Sequence, residues 1–180
     1  MRMIVAAKLH GIKVTGADIH YHGSITLDPE QCKMAGIFPL EYVNIWNKSN
    51  GARISTYVIY GKPGSRCCIL NGAAARTCQP GDEVIIASHM YISEAAITNI
   101  TPKVLTFSEG NVVDQVLSYV VNLTEDWFSF EVKNLTPEDH STPPRLSSLM
   151  DVDRMRHDLR AQGLDEKTIA DFLARHVKAA

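Results

Sequence analysis

Short alternating runs separated by turn residues fill the first 110 positions. Lys8 to Thr15 spaces Leu9, Ile12 and Val14 among polar neighbours, a β-branched pattern that predicts a strand. Ser24 to Leu27 predicts a second. Asp28 then opens a helix signal: it is a good N-cap, Pro29 suits the first helical position, Gln31 completes a capping box, and Gly36 suits the exit. Tyr42 to Asn47 alternates as a half-buried strand does. Asn50-Gly51 is a strong hairpin signal, and Arg53 to Tyr60 is its return strand. Gly61 to Ser65 reads as a turn, Arg66 to Leu70 as a strand, and Asn71 to Ala75 as a small-residue segment. Pro80-Gly81-Asp82 turns the chain into the apolar strand Glu83 to Ser88, and Val104 to Phe107 is one more. Strands this short, with turn signals about 8–12 residues apart, predict a sandwich or barrel. A doubly wound α/β fold needs long amphipathic helices between strands, and the pattern has none before residue 110.

The remainder divides differently. In residues 111–135, β-branched residues fill helical spacings, so the segment fits either a helix or a pair of strands. Residues 136–150 read as a linker, with three of the eight prolines. Residues 151–180 predict a helical hairpin: Val152, Met155 and Leu159 recur at helical spacing, Gly163 stops the first helix, and Asp165 caps a second with Ile169, Phe172, Leu173 and Val177 on its apolar face. The hairpin carries six acids and six bases, and its RAQGLDEKTIADFLARH segment lacks a following recognition-type helix. It therefore reads as a packing or protein-interaction appendage, not a DNA-binding arm.

Composition narrows the classes. The chain has 180 residues and a formal net charge of −2, which argues against nucleic acid as a partner. Hydrophobic residues are 45% and charged residues 21%, ordinary for a globular protein. No apolar run reaches the roughly 20 residues needed to cross a bilayer. The patch Met3 to Ala7 is broken by Lys8 and is too short for a signal peptide, so neither membrane nor export is expected, and a cytoplasmic location is. Cys32, Cys67, Cys68 and Cys78 contain no C-x-x-C spacing; reduced, mostly buried thiols are expected, with no zinc or other metal site. The sequons at Asn99, Asn122 and Asn134 are then chance matches.

The chemistry concentrates in Ala17 to Ile25, ADIHYHGSI. A Gly-Ser pair alone is an ordinary turn. Its surroundings are more specific: Lys8-Leu9-His10, Ala17-Asp18-Ile19-His20-Tyr21, Gly23-Ser24, Ile45-Trp46-Asn47, Asn50-Gly51, Arg53, Ser55-Thr56-Tyr57, Gly64-Ser65-Arg66, Asn71-Gly72-Ala73-Ala74-Ala75 and Gly81 to Ser88 occur in that order and at that spacing. In these motifs, from about residue 3 to residue 110, the chain resembles the pyruvoyl-dependent aspartate 1-decarboxylases, which make β-alanine for pantothenate. The resemblance does not reach residues 135–180.

What the resemblance implies is detailed. The fold would be a mainly β, double-psi β-barrel over residues 1–110, here with a C-terminal helical extension, assembled as a homotetramer with active sites between subunits. The proenzyme would cut itself between Gly23 and Ser24. The Ser24 hydroxyl attacks the preceding carbonyl in an N→O acyl shift, against peptide resonance, so the fold must strain or polarise that bond. β-Elimination and hydrolysis then leave a pyruvoyl group at position 24, a covalent cofactor that needs neither PLP nor metal. It would take the amine of L-aspartate as a Schiff base and store the electron pair left by carbon dioxide. Tyr57 would return a proton; a phenol, with an ordinary pKa of about 10, still carries one at neutral pH.

Thr56, Gly72, Ala73 and Ala74 match substrate-contacting positions. Arg53, with its planar fork, suits a substrate carboxylate, and Lys8 could hold the other. Tyr21 would line the pocket, and Asn71 either donates to an oxyanion or simply caps a turn. His22 stands where an acidic residue is common. Some members need an accessory maturation factor, which residues 111–180 could replace or recruit. Related acids such as glutamate, or an unprocessed binding barrel, remain the alternatives.

Overall fold

The computed structural model describes residues 1–136, 159–160 and 164–176. The chain divides into two compact units, Met1–Glu138 and Asp139–Ala180. The first is built almost entirely of strands: β1 (Arg2–Lys13), β2 (Gly16–Asp18), β3 (Ser24–Leu27), β4 (Tyr42–Asn47), β5 (Arg53–Tyr60), β6 (Cys68–Asn71), β7 (Glu83–Ile92), β8 (Lys103–Phe107), β9 (Val113–Leu123) and β10 (Phe128–Asn134). One α-helix, α1 (Pro29–Ala35), lies between β3 and β4.

The strand order is β10-β9-β8-β1-β7-β4-β5-β3-β6-β2. Because β2 continues β1 after a bend at Val14 and Thr15, the run from β1 through β7, β4, β5, β3 and β6 to β2 returns to where it began. The sheet thus curls round into the expected barrel. The bend is held by Val14 N donating to Asp82 O at 2.8 Å and Thr15 N donating to Cys68 O at 2.7 Å. Alternation along the strands fills the interior with Leu9, Ile12, Ile25, Leu27, Val43, Ile45, Val58, Leu70, Val84 and Ile86, all buried. Strands β8, β9 and β10 extend the sheet from the other side of β1.

Several boundaries differ from the sequence reading. Strand β1 starts at Arg2, because the Met3–Ala7 patch pairs with a β7 that itself runs on to Ile92. Strand β6 starts at Cys68, not Arg66, whose φ of 54° is left-handed and cannot continue a strand. Residues 111–135 are the pair of strands β9 and β10, antiparallel in register from Phe128↔Leu123 to Asn134↔Leu117. Asp28 does cap α1, accepting from Glu30 N, and Gly36 leaves it at φ 86°. The capping box does not form. Gln31 donates to Asn111 O at 2.7 Å instead of turning back to Asp28.

In the second unit, α2 (Glu166–His176) begins where Asp165 was expected to cap it: Thr168 N donates to Asp165 Oδ1 at 2.8 Å, and Ile169 is buried. Arg160 pairs with Glu166. Val152, Met155, Gly163, Val177, the side chains of Phe172 and Leu173, and the linker beyond Thr136 lie outside the described residues.

Candidate active site

The Tyr21–Ser24 segment passes abruptly from solvent to core. Tyr21 and His22 are exposed, their rings 5.8 Å apart, whereas Ser24, the first residue of β3, is fully buried. Gly23 between them adopts φ 91°, a conformation that other residues reach only with strain. A buried hydroxyl must find a partner. Strand β6 supplies it: Ser24 pairs with Asn71 across the antiparallel ladder, and Asn71 Nδ2 donates to Ser24 Oγ at 2.7 Å and to Thr26 Oγ1 at 2.8 Å.

Asn71 precedes the 3-10 turn Gly72–Arg76, but its side chain makes no capping bond to that turn. Its amide serves Ser24 and Thr26 instead of capping the turn. Thr26 was missed by the sequence reading; a hydroxyl in the otherwise apolar run Ile25 to Leu27 was the available signal.

The next residue closes the site from above. Gly72 has φ 64°, and a Cβ built on it would stand 2.8 Å from both Gly23 Cα and Gly23 N and 2.9 Å from Tyr21 O. No side chain fits there. Within the same turn Ala73 is exposed and Ala74 half-buried.

Strand β5 flanks the site on its other side. It runs parallel to β3, with Ile25 opposite Val58. One step back along both strands, Ser24 and Tyr57 are neighbours on the same face, opposite the core-facing pair Ile25 and Val58. Tyr57 is half-buried, with the Tyr42 ring 6.3 Å away. The pleat turns Thr56 to the opposite face, where it pairs with buried Val43, so its side chain is not brought to Ser24.

Arg53 and Lys8 are not brought there either. Arg53 shares Tyr57's face but lies four residues earlier on β5, about 13 Å away. Its guanidinium stacks 5.5 Å from the Trp46 ring centre. Lys8 lies three strands from β5, through Ala87, Asn44 and Ser55, hence about 14 Å from that strand. Both cations sit on the outer face of the barrel wall. His10, next on that face of β1, has its pKa pushed down, chiefly by burial and then by Lys8 and Lys48. Its Nδ1 is buried with no hydrogen-bond partner.

Among the described residues, no group of three or more His, Cys, Asp and Glu gathers as a metal site would require, and no helix is long and apolar enough to cross a membrane. Cys32, Cys67, Cys68 and Cys78 are all free thiols.

Comparison with known proteins gives the chain's family. The pattern of the family described as aspartate decarboxylase matches residues 1–114. An aspartate 1-decarboxylase of Paramagnetospirillum magneticum is 54% identical over 181 residues, covering 98% of each chain. One from Xanthobacter autotrophicus is 56% identical over 149 residues, 82% of this chain and 99% of its own. One from Beijerinckia indica is 65% identical over 121 residues, 67% of this chain and 81% of its own. The first alignment takes in the C-terminal extension, which the motif resemblance left out.

Proposed function

Because the chain belongs to the aspartate decarboxylase family, we propose that it cuts itself between Gly23 and Ser24 and decarboxylates L-aspartate to β-alanine with the pyruvoyl group made from Ser24. The observation that carries the reading is the buried Ser24 hydroxyl held by the Asn71 amide, next to a Gly23 whose backbone Gly72 closely approaches.

The residues fit the processing step. Ser24 Oγ forms a bond to the Gly23 carbonyl carbon as the Gly23–Ser24 C–N bond breaks, and the hydroxyl proton ends on the freed Ser24 nitrogen. The Asn71 amide holds Oγ in place and stabilises negative charge on it as its proton leaves. Gly23 reaches its left-handed φ without the strain a Cβ would bring, and Gly72, by carrying none, leaves the Gly23 backbone room. Elimination then releases residues 1–23 with a terminal carboxylate, and water replaces the remaining nitrogen as ammonia.

They also fit the catalytic step. The new group supplies a covalently held electrophile able to store the electron pair that carbon dioxide leaves behind. Tyr57, beside position 24 on the same face, carries the proton that completes the product. Asn71 remains as a donor to an oxygen at that position. The backbone of Gly72, Ala73 and Ala74 stands open to a ligand, as does Tyr21, whereas Thr56 would have to act through its backbone or a rearranged side chain.

A carboxylate clamp at Arg53 and Lys8 is too far away to serve Ser24 of the same chain. A homotetramer with sites between subunits accounts for this, because a neighbouring copy can bring the outer wall of β1, β4 and β5 to the cut site. The reading is tested by incubating purified protein with L-aspartate or L-glutamate and separating the products. β-Alanine without 4-aminobutyrate is expected. 4-Aminobutyrate instead would move the assignment to glutamate, and neither product from an uncut chain would make the barrel a binding protein.

A further inference from the structure

A pocket whose lining shares no residue with the Gly23–Ser24 segment has a cavity of about 430 Å³, bounded by Lys13, Thr15, Gly64, Arg66, Gly81 and Asn111 among others. That is room for a small organic ligand. Two cations line it and no carboxylate does. Lys13 faces Glu83 across the β1–β7 ladder, but the Glu83 carboxylate is bonded to Lys48. Glu30 approaches Gly64 without joining the lining. Among the described residues neither Lys13 nor Arg66 has an ion-pair partner.

The backbones that carry the two cations are firmly held. Asn111 is buried, and its amide accepts from Lys13 N at 2.8 Å, donates to Lys13 O at 2.8 Å, and donates to Arg66 O at 3.1 Å. One side chain thus fixes the spacing of both backbones. Asp28, also buried, accepts from Arg66 N at 2.6 Å and from Gly64 N at 3.2 Å. Together they hold Arg66 at φ 54°, while Asn111 itself sits at φ 54°. Left-handed non-glycine residues are costly and persist where the surroundings over-determine them, often at ligand sites. Here two such residues line one pocket.

We propose that this pocket binds a phosphate dianion, free or carried as a monoester on a small organic body. Lys13 and Arg66, neither engaged in an ion pair, can each meet an oxygen of such a group, and the Arg66 fork can take two. An amino acid fits less well, since its ammonium meets no carboxylate in the lining.

The test is calorimetric titration of the full, mature chain with inorganic phosphate and with glycerol 3-phosphate, against sodium chloride at matched ionic strength. Saturable binding of a phosphate is expected, weakened about tenfold by Lys13→Gln and by Arg66→Gln, the loss of one charged hydrogen bond. Both side chains are exposed, so the ligand-free melting temperatures should match wild type. Tighter binding of glycerol 3-phosphate would assign an organic phosphate, and equal binding a free one. Binding lost in Arg53→Gln but kept in the other two variants would place the anion at the substrate site and overturn the proposal. So would an effect that sodium chloride reproduces.

Discussion

A side-chain carbon on Gly72 would come within 2.8 Å of the backbone of Gly23, the residue whose carbonyl must be attacked. Under the proposed self-cleavage, the contact joins the turn after β6 to the Gly23–Ser24 bond and gives Gly72 a part in processing.

Gly72→Ala should therefore block self-cleavage. The substitution meets both the left-handed penalty of roughly 1–2 kcal/mol and an overpacking cost of roughly 1–3 kcal/mol. Gly51→Ala is the control. Gly51 has φ 78° but open space around its would-be Cβ. On denaturing gels of folded protein, the Gly51 variant should cut as wild type does and the Gly72 variant should stay intact. Equal cutting would remove Gly72 from the account.

Tyr57→Phe should separate processing from turnover. The chain should still cut, because Asn71 and Gly72 are untouched, while kcat falls by about 10²- to 10⁴-fold, the usual worth of a positioned proton donor. Mass spectrometry and a β-alanine assay on one preparation report both. A variant with wild-type kcat would give the proton to another group.

The thiols should react unequally. Cys32, Cys68 and Cys78 are buried, and burial pushes their pKa values up, that of Cys32 to about 12. Cys67 is only half-buried. Brief maleimide treatment of folded protein should add one label, at Cys67, and denaturation should expose the rest. Two or more rapid labels without denaturant would contradict the packing around α1 and β6.

His10 should make the fold sensitive to acid. Its folded pKa lies below its unfolded value, so the unfolded chain takes up the proton more readily. The stability that this contributes is present above about pH 6.5 and is lost as pH falls towards the lower folded value. Between about pH 7.5 and about pH 5.5, His10→Gln should lose less melting temperature than wild type. An equal or larger loss would mean that the imidazole is free to ionise in place.

Much of this was legible where one residue type has one physical use. Asp28, Pro29 and Gly36 marked α1, and Asn50-Gly51 marked the β4–β5 hairpin, where Gly51 N donates to Asn47 O at 2.9 Å. Local pattern failed where long-range pairing decides. Met3 to Ala7 is too short to announce itself, yet β7 recruits it into β1. Val112 to Val121 satisfies two periods, and only the ladders to β8 and β10 select the strand. Gln31 had the right spacing for a capping box but a better partner in Asn111, 80 residues away. At the site, the motif order named Ser24, Tyr57, Asn71 and Gly72. That Thr56 faces away from Tyr57, and that Arg53 and Lys8 stand apart, are facts of register and strand order that spacing does not encode.

The most direct measurement is the denaturing intact mass of purified protein. The account predicts a fragment of residues 1–23 ending in Gly23 and a fragment of residues 24–180 beginning with a pyruvoyl group. A second fragment still beginning with serine, or a single uncut chain that persists after incubation with cell extract, would contradict it.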